Sequence, residues 1–165
     1  VKYLIGKGCR NIGLINGSTT LATFRERYNG YHRAMKEAGL AETLASSDHP
    51  CNSFEYGYEC TEELLLQNPQ LDAIIAAVDI QGMAALRALK DEGISVPDQV
   101  RLVSLTGHSI GDILETTMTS LEMPAREMGE KATQMIIQEI EADSGSKPSV
   151  QHLVFPASLV ERESG

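Results

Sequence analysis

The sequence predicts an α/β fold, a doubly wound parallel sheet, from three observations. Short apolar runs recur at residues 11–17 (NIGLING, bounded by turn residues) and 71–78 (LDAIIAAV, almost uniformly apolar), with a further strand at 99–105 (QVRLVSL), and such runs fit strands covered on both faces. Segments with apolar residues at helical spacing separate them, and strands alternating with helices of roughly ten to fifteen residues build parallel sheets. Glycine and proline punctuate the hand-overs, most clearly in the tract from Asp72 to Gly107, which reads strand, helix, strand.

In chain order, VKYLIGKG reads as the last turns of an amphipathic helix, Leu4 and Ile5 inward, closed by Gly6 or Gly8. It opens on Val1 rather than on a methionine, so the chain is expected to be cut from something longer. After the strand at 11–17, the spacing of Phe24, Tyr28, Tyr31, Ala34 and Met35 predicts a helix over 23–38, stopped by Gly39. LASSDHPCNS is irregular, with a brief strand at 44–46. A helix over 54–66 follows, with Tyr58, Leu64, Leu65 and Leu66 as its apolar side and NPQ as its end. From Asp79 the next helix runs to Asp91 and stops at Gly93, and Val96-Pro97 leads into the strand at 99–105. A polar loop covers 106–117 and MTSLEMP follows it. Met128, Ala132, Met135, Ile136 and Ile140 then mark a helix over 126–142, where Gly129 allows close approach. SGSKPS breaks that helix, and VQHLVFP and ASLVERE give two short extended pieces about Pro156.

Composition narrows the function. The 165 residues are about one domain's worth, and with no tryptophan and 5% aromatics the core must be aliphatic. Asp and Glu number 23 against 14 Lys and Arg, a formal charge of −9 that repels phosphate backbones, so nucleic acid is not expected to touch these residues directly. Cys9, Cys51 and Cys60 are odd in number and lack CxxC spacing, which argues against a disulfide framework and a structural zinc site and for a reducing, cytoplasmic setting. No apolar run approaches the roughly 20 residues of a membrane span, so no membrane partner is expected. His32, His49, His108 and His152 lack metal-ligand spacing, Ser104, Ser109 and Ser120 lack a G-x-S-x-G elbow, and IGKGC is not a phosphate-cradling loop. The expectation is a protein that is not an enzyme and carries neither cofactor nor metal.

Five segments in order resemble the effector-binding domain of the lactose-repressor (LacI/GalR) family of bacterial transcription regulators. They are YLIGKGCRNIGLING, RERYNGYHRAMKEAG, DAIIAAVDIQGMAALRALKDEGISVPDQVRLVSL, MTSLEMPAREMGEKA and LVFPASLVERES. The resemblance implies a periplasmic-binding-protein-like fold of type I, in which two α/β lobes joined by three crossovers hold a small molecule between them. It implies that residues 1–120 and 157–165 form a nearly complete C-terminal lobe, that 121–156 hold a crossover and a fragment of the other lobe, and that the DNA-binding headpiece is absent. Operator DNA would then be reached only through that headpiece. The ligand would be a sugar or sugar derivative, phosphorylated ones included, and a homodimer is expected.

In open α/β sheets ligands bind outside the carboxyl ends of the strands, and polar residues gather there: Asn16 to Thr20, Asp79, and Thr106 to His108. Arg27 matches the family's cleft arginine, which donates forked hydrogen bonds to ligand oxygens; the alternative is a solvated arginine paired with an acidic neighbour. Thr23, one turn earlier, either adds a hydroxyl to the site or caps the helix. Thr106 stands where the family usually has an aspartate, and Val78 where sugar-binding members often place an asparagine, so the usual sugar contacts are altered. Asp79 keeps its place, and capping of the following helix is favoured over ligand contact. Asn52 replaces a stacking aromatic, which Phe54 or Tyr56 would supply, with core packing the more natural use of Phe54. His108 reads as a solvated loop residue before it reads as a ligand contact.

The helix that starts at Asp79 is apolar nearly all round. In the resembled family it forms a two-fold interface with the segment after the next strand, here Met83, Leu86 and Arg87 with Ile110 and Ile113; the alternative is a helix wholly covered by its own sheet and neighbours. A periplasmic sugar-binding protein of a transport system shares the fold and is the competing function, disfavoured by three cysteines and the VERES ending.

Overall fold

The computed structural model describes residues 1–47, 52–107, 109–141 and 150–165. His49, Cys51, His108, Ala142 and the SGSKPS segment lie outside them. Six strands form one sheet in the order β2-β1-β3-β4-β5-β6. β1 (Ile12–Ile15), β2 (Thr43–Ala45), β3 (Ala73–Ala76), β4 (Arg101–Ser104) and β5 (Thr119–Glu122) pair in parallel, and β6 (Ser158–Val160) returns antiparallel against β5. Each long strand occupies the middle of its apolar run. The helices are α1 (Lys2–Gly6), α2 (Ala22–Ala38), α3 (Phe54–Gln67), α4 (Asp79–Asp91) and α5 (Ala125–Glu141), with a 3-10 turn at Ser109–Asp112.

Successive strand residues point to opposite faces, so Leu14 and Ile75 join a core with Leu4, Tyr31 and Met35 from α1 and α2, while Ile15 and Ile74 join one with Leu64, Ala85 and Leu89 from α3 and α4. That is the expected doubly wound sheet. The Tyr31 hydroxyl donates to the Ile12 carbonyl at 2.8 Å and accepts from the Thr43 N–H at 3.0 Å, and burial pushes its pKa up to about 12. Gly39 ends α2 in the left-handed region at φ 67°. At Gly57 a Cβ would lie 2.7 Å from the Gln81 Cα, so α3 and α4 approach as closely as only glycine permits.

Several expectations need correction. Leu66 is 83% exposed, because it falls beyond the edge of the stripe that Leu64 leads into the core. Phe54 is also exposed rather than packed, since α3 begins there and its first residue projects past the sheet. VQHLVFP forms no strand among the described residues, and only Ser158–Val160 pairs; Pro156, which has no N–H to donate, precedes the ladder. α5 has the expected apolar spacing but no buried residue, with Ile136 and Ile140 in solvent, and nothing lies within 4 Å of a Cβ built on Gly129. It lies off the sheet, so its stripe meets no second apolar layer among the described residues.

The carboxy-terminal segment is stitched into the sheet. Arg162 bonds the Met118 carbonyl at 3.0 Å, Ser120 Oγ at 2.9 Å and Glu122 at 2.7 Å, and its Nε pairs with Asp112. Glu122 first, then Asp112, holds the Arg162 guanidinium above its ordinary pKa. Buried Ser164 accepts from the Thr119 N–H at 2.9 Å and donates to the Leu102 carbonyl at 2.8 Å, tying β5 to β4.

Leu64→Ala is expected to cost about 2–5 kcal/mol, read from the urea unfolding midpoint, against about 0.5 kcal/mol or less for Leu66→Ala. Arg162→Met is expected to cost about 2 kcal/mol in the same assay, below the figure for a fully buried pair because Glu122 and Asp112 keep 40% and 55% of their side-chain exposure.

Candidate functional site

With five strands parallel, the residues that follow β1, β3 and β4 emerge along one edge of the sheet, where the loops into the helices start. Asn16, wholly buried after β1, organises part of it: its Nδ2 donates to the Phe24 carbonyl of α2 at 3.1 Å, and its own carbonyl accepts the Tyr56 hydroxyl of α3 at 2.6 Å. Ser18, also buried, shares a 2.7 Å hydrogen bond with Thr20. Tyr56 is half-buried with its ring against the α3–α4 core. Asn52 stands exposed ahead of α3, whose cap is Ser53, the Oγ accepting from the Tyr56 N–H at 3.1 Å.

Arg27 lies in the second turn of α2, half-buried, its guanidinium 5.3 Å from the Phe24 ring centroid. Desolvation pushes its pKa down, and no acceptor among the described residues bonds it or pairs with it. It borders a groove of about 390 Å³ that runs from Leu105, just past β4, along α2 to Glu37. Thr23 does not cap α2. The cap position is Leu21, with extended backbone and no side-chain bond, and Thr23 is already helical and exposed, so its hydroxyl cannot reach back to the first amides.

The capping role expected for Asp79 is also overturned. Val78 occupies the cap position of α4, and the Asp79 N–H instead donates to Thr106 Oγ1 at 3.0 Å. Asp79 is buried as the first helical residue, and its Oδ1 accepts the Ser104 hydroxyl. Thr106, in the bend just past β4, thus serves as the cap, and a compact Asp79–Ser104–Thr106 knot joins the ends of β3 and β4. Ser104, read in the sequence only as a serine without a nucleophile elbow, is the missing member. A hydroxyl inside an otherwise apolar buried strand was the available signal.

A second concavity, about 510 Å³, lies between α4 and the segment after the 3-10 turn, lined by Met83, Leu86, Arg87, Lys90, Ile94 and Leu114 among others. Arg87 bonds Asp91 at 2.8 Å, and Lys90 pairs with Glu115. Ile113, 81% exposed, and Ile110, 39% exposed, belong to the adjoining turn. Among the described residues no group of His, Cys, Asp and Glu is placed to hold a metal ion.

Thr106→Val removes the acceptor of the Asp79 N–H and is expected to lower stability by about 1 kcal/mol in urea unfolding, with Thr106→Ser keeping most of it.

The sequence profile of the periplasmic binding protein-like domain family matches residues 1–165. The chain is 34% identical over 164 residues to the HTH-type transcriptional regulator CelR of Thermobifida fusca, covering 98% of this chain and 47% of that protein. It is 27% identical to the ribose operon repressor of Halalkalibacterium halodurans, covering 99% and 47%. Among solved structures, a complex of the transcriptional regulator CelR with cellobiose superposes with a TM-score of 0.88 at 31% identity, covering 99% of this chain and 49% of the other. A sugar-binding LacI-family regulator of Escherichia coli complexed with phosphate superposes at 0.83 and 26% identity, covering 98% and 57%. The chain spans about half the length of the curated relatives it matches, and these relatives are regulators rather than enzymes. No helix among the described residues is long and apolar enough to cross a membrane. The chain belongs to the periplasmic binding protein-like domain family, in the company of transcriptional regulators of the LacI/PurR type.

Proposed function

We propose that this chain is the effector-binding part of a cytoplasmic transcriptional regulator and that its effector is a small saccharide or saccharide derivative. The observation that carries this reading is Arg27, a half-buried guanidinium at the carboxyl edge with no acceptor among the described residues. A half-buried guanidinium with no protein acceptor keeps its donor fork available to a ligand. Thr23, Thr106, Asp79, Asn52, Tyr56 and His108 complete the proposed site. Residues 1–120 and 157–165 form one lobe on this reading, and 121–156 cross to the second, which supplies the cover that the bare stripe of α5 calls for.

The ligand acts by binding one arrangement of the two lobes more tightly than the other. The shift is read out by a DNA-binding segment outside these 165 residues, consistent with their charge of −9 and with relatives that are HTH-type regulators. Those relatives favour a regulator over a periplasmic transport component. A second copy of the chain docks on the α4 face, with Met83, Leu86, Arg87, Ile110 and Ile113 meeting their counterparts.

Arg27→Ala is expected to weaken effector binding by about ten- to a hundred-fold in calorimetry while leaving operator binding of the ligand-free regulator unchanged; unaltered effector affinity would remove Arg27 from the site. Ile113→Glu is expected to raise the dimer dissociation constant at least about ten-fold in analytical ultracentrifugation, and an unchanged constant would place the interface elsewhere.

A further inference from the structure

We infer that the lobe holds an internal water site at the carboxyl end of the seam between α3 and α4, and that the Gln81 side chain is its principal ligand. Gln81 is wholly buried, and neither its Nε2 nor its Oε1 has a hydrogen-bond partner among the described residues. An enclosed amide in that state is costly, and buried polar groups in folded proteins are met by protein or by ordered water.

Its place in the helix locates the water. Gln81 is the third residue of α4, its N–H bonded to the Val78 carbonyl at 3.1 Å. Ala85 and Leu89, four and eight residues on, enter the core shared with Ile15 and Leu64, so Gln81 continues that buried stripe one turn toward the start of the helix. Helical side chains lean toward the N-terminus of their helix, which for α4 is the carboxyl edge. Against Gln81 lies the first turn of α3, packed so closely that a Cβ on Gly57 would stand 2.7 Å from the Gln81 Cα. Tyr56, the neighbour of Gly57, is fixed by its hydroxyl to the Asn16 carbonyl at 2.6 Å. The amide is thus enclosed between the first turns of two helices, beneath the candidate site. Asn16 Oδ1, also buried without a partner, is a separate case, because that side chain turns to α2, where Nδ2 bonds the Phe24 carbonyl.

The orphaned atoms select the occupant. They are a donor and an acceptor on one neutral group, so an anion would satisfy only Nε2 and a cation only Oε1. Among the described residues no group of His, Cys, Asp and Glu is placed to help hold a metal ion. Water donates and accepts, and it fits enclosed polar sites where roughly two to four hydrogen bonds await it. The contact between the first turns of α3 and α4, which carry Tyr56 and Asp79, is then hydrated rather than dry.

The test is a crystal structure of the intact regulator at a resolution that shows ordered water, for the native protein and for Gln81→Met, which keeps the length of the side chain and removes its polar atoms. Gln81→Leu is the second variant should methionine not be accommodated. The native structure is expected to show a water about 2.7–3.2 Å from Nε2 or Oε1 of Gln81, with at least one further polar partner, and the variant is expected to lose it. In solution, oxygen-17 relaxation dispersion is expected to count at least one fewer long-lived water in the variant than in the native protein. A protein group bonded directly to the Gln81 amide overturns the inference. So does an ion or a larger molecule in the water's place, an amide with no neighbour, or a variant that keeps every long-lived water.

Discussion

Peptide groups at the end of a buried parallel strand must find partners after the neighbouring strand has stopped, and that constraint organises this molecule. Backbone amides just past β1, β3 and β4 meet part of it by bonding the neighbouring strand's last carbonyls, and short polar side chains add bonds at the ends of β1 and β4. Asn16 closes β1 by bonding α2 and α3 together. Ser104 and Thr106 close β4 and, through Asp79, the start of α4. Because the strands run in parallel, these closures fall on one edge. The same residues that satisfy the backbone therefore form the floor of the candidate site, and few can change role without loosening the lobe.

The last strand meets the same constraint by another route. β6 is only three residues long and antiparallel, too short to be held by its ladder alone. Arg162 and Ser164 supply the remaining bonds, to β5, to the 3-10 turn and to β4. Arg162 touches both Glu122, where the chain leaves the sheet toward α5, and Asp112, in the turn beside the α4 face. Arg162 thus links the point where the chain leaves the sheet to the turn beside the α4 face through one side chain.

How much of this was legible in the sequence depended on which physical signal was present. Apolar runs and helical spacing placed the strands and helices to within a few residues, because burial on both faces leaves no freedom of composition. Exposure of single residues was harder: the run Leu64-Leu65-Leu66 reads as one apolar side, yet Leu66, two residues on from buried Leu64, turns to the opposite face of α3 and into water. At the candidate site, Asp79 and Thr106 were legible from their places at strand ends, and Arg27 only through the resemblance to the family's cleft arginine. Their partners were not, because the bond from the Asp79 N–H to Thr106 joins residues far apart in the chain, and nothing local in VDIQG indicates that a distant threonine will serve as its cap. Arg162 could be seen only as part of an ending motif. Its role follows from pairing across the sheet, which no spacing rule reports.

The half-exposed setting of Arg27 also decides how a ligand could act as a switch. In an open cleft an ion pair at about 4 Å is worth only about 1 kcal/mol against water, whereas at the effective dielectric of a closed protein site it approaches about 4 kcal/mol, before the desolvation of both ions is subtracted. The surplus left after that subtraction exists only when a second lobe excludes water from the pair. A guanidinium buried completely in one lobe would bind its counter-ion equally in both arrangements and shift nothing; one left wholly in solvent would bind weakly in both. Arg27, over the Phe24 ring and bordering an open groove, lies between those limits. On the proposed reading, the cost of leaving this charge half-solvated in the free protein is what makes its ligand able to choose between two arrangements of the lobes.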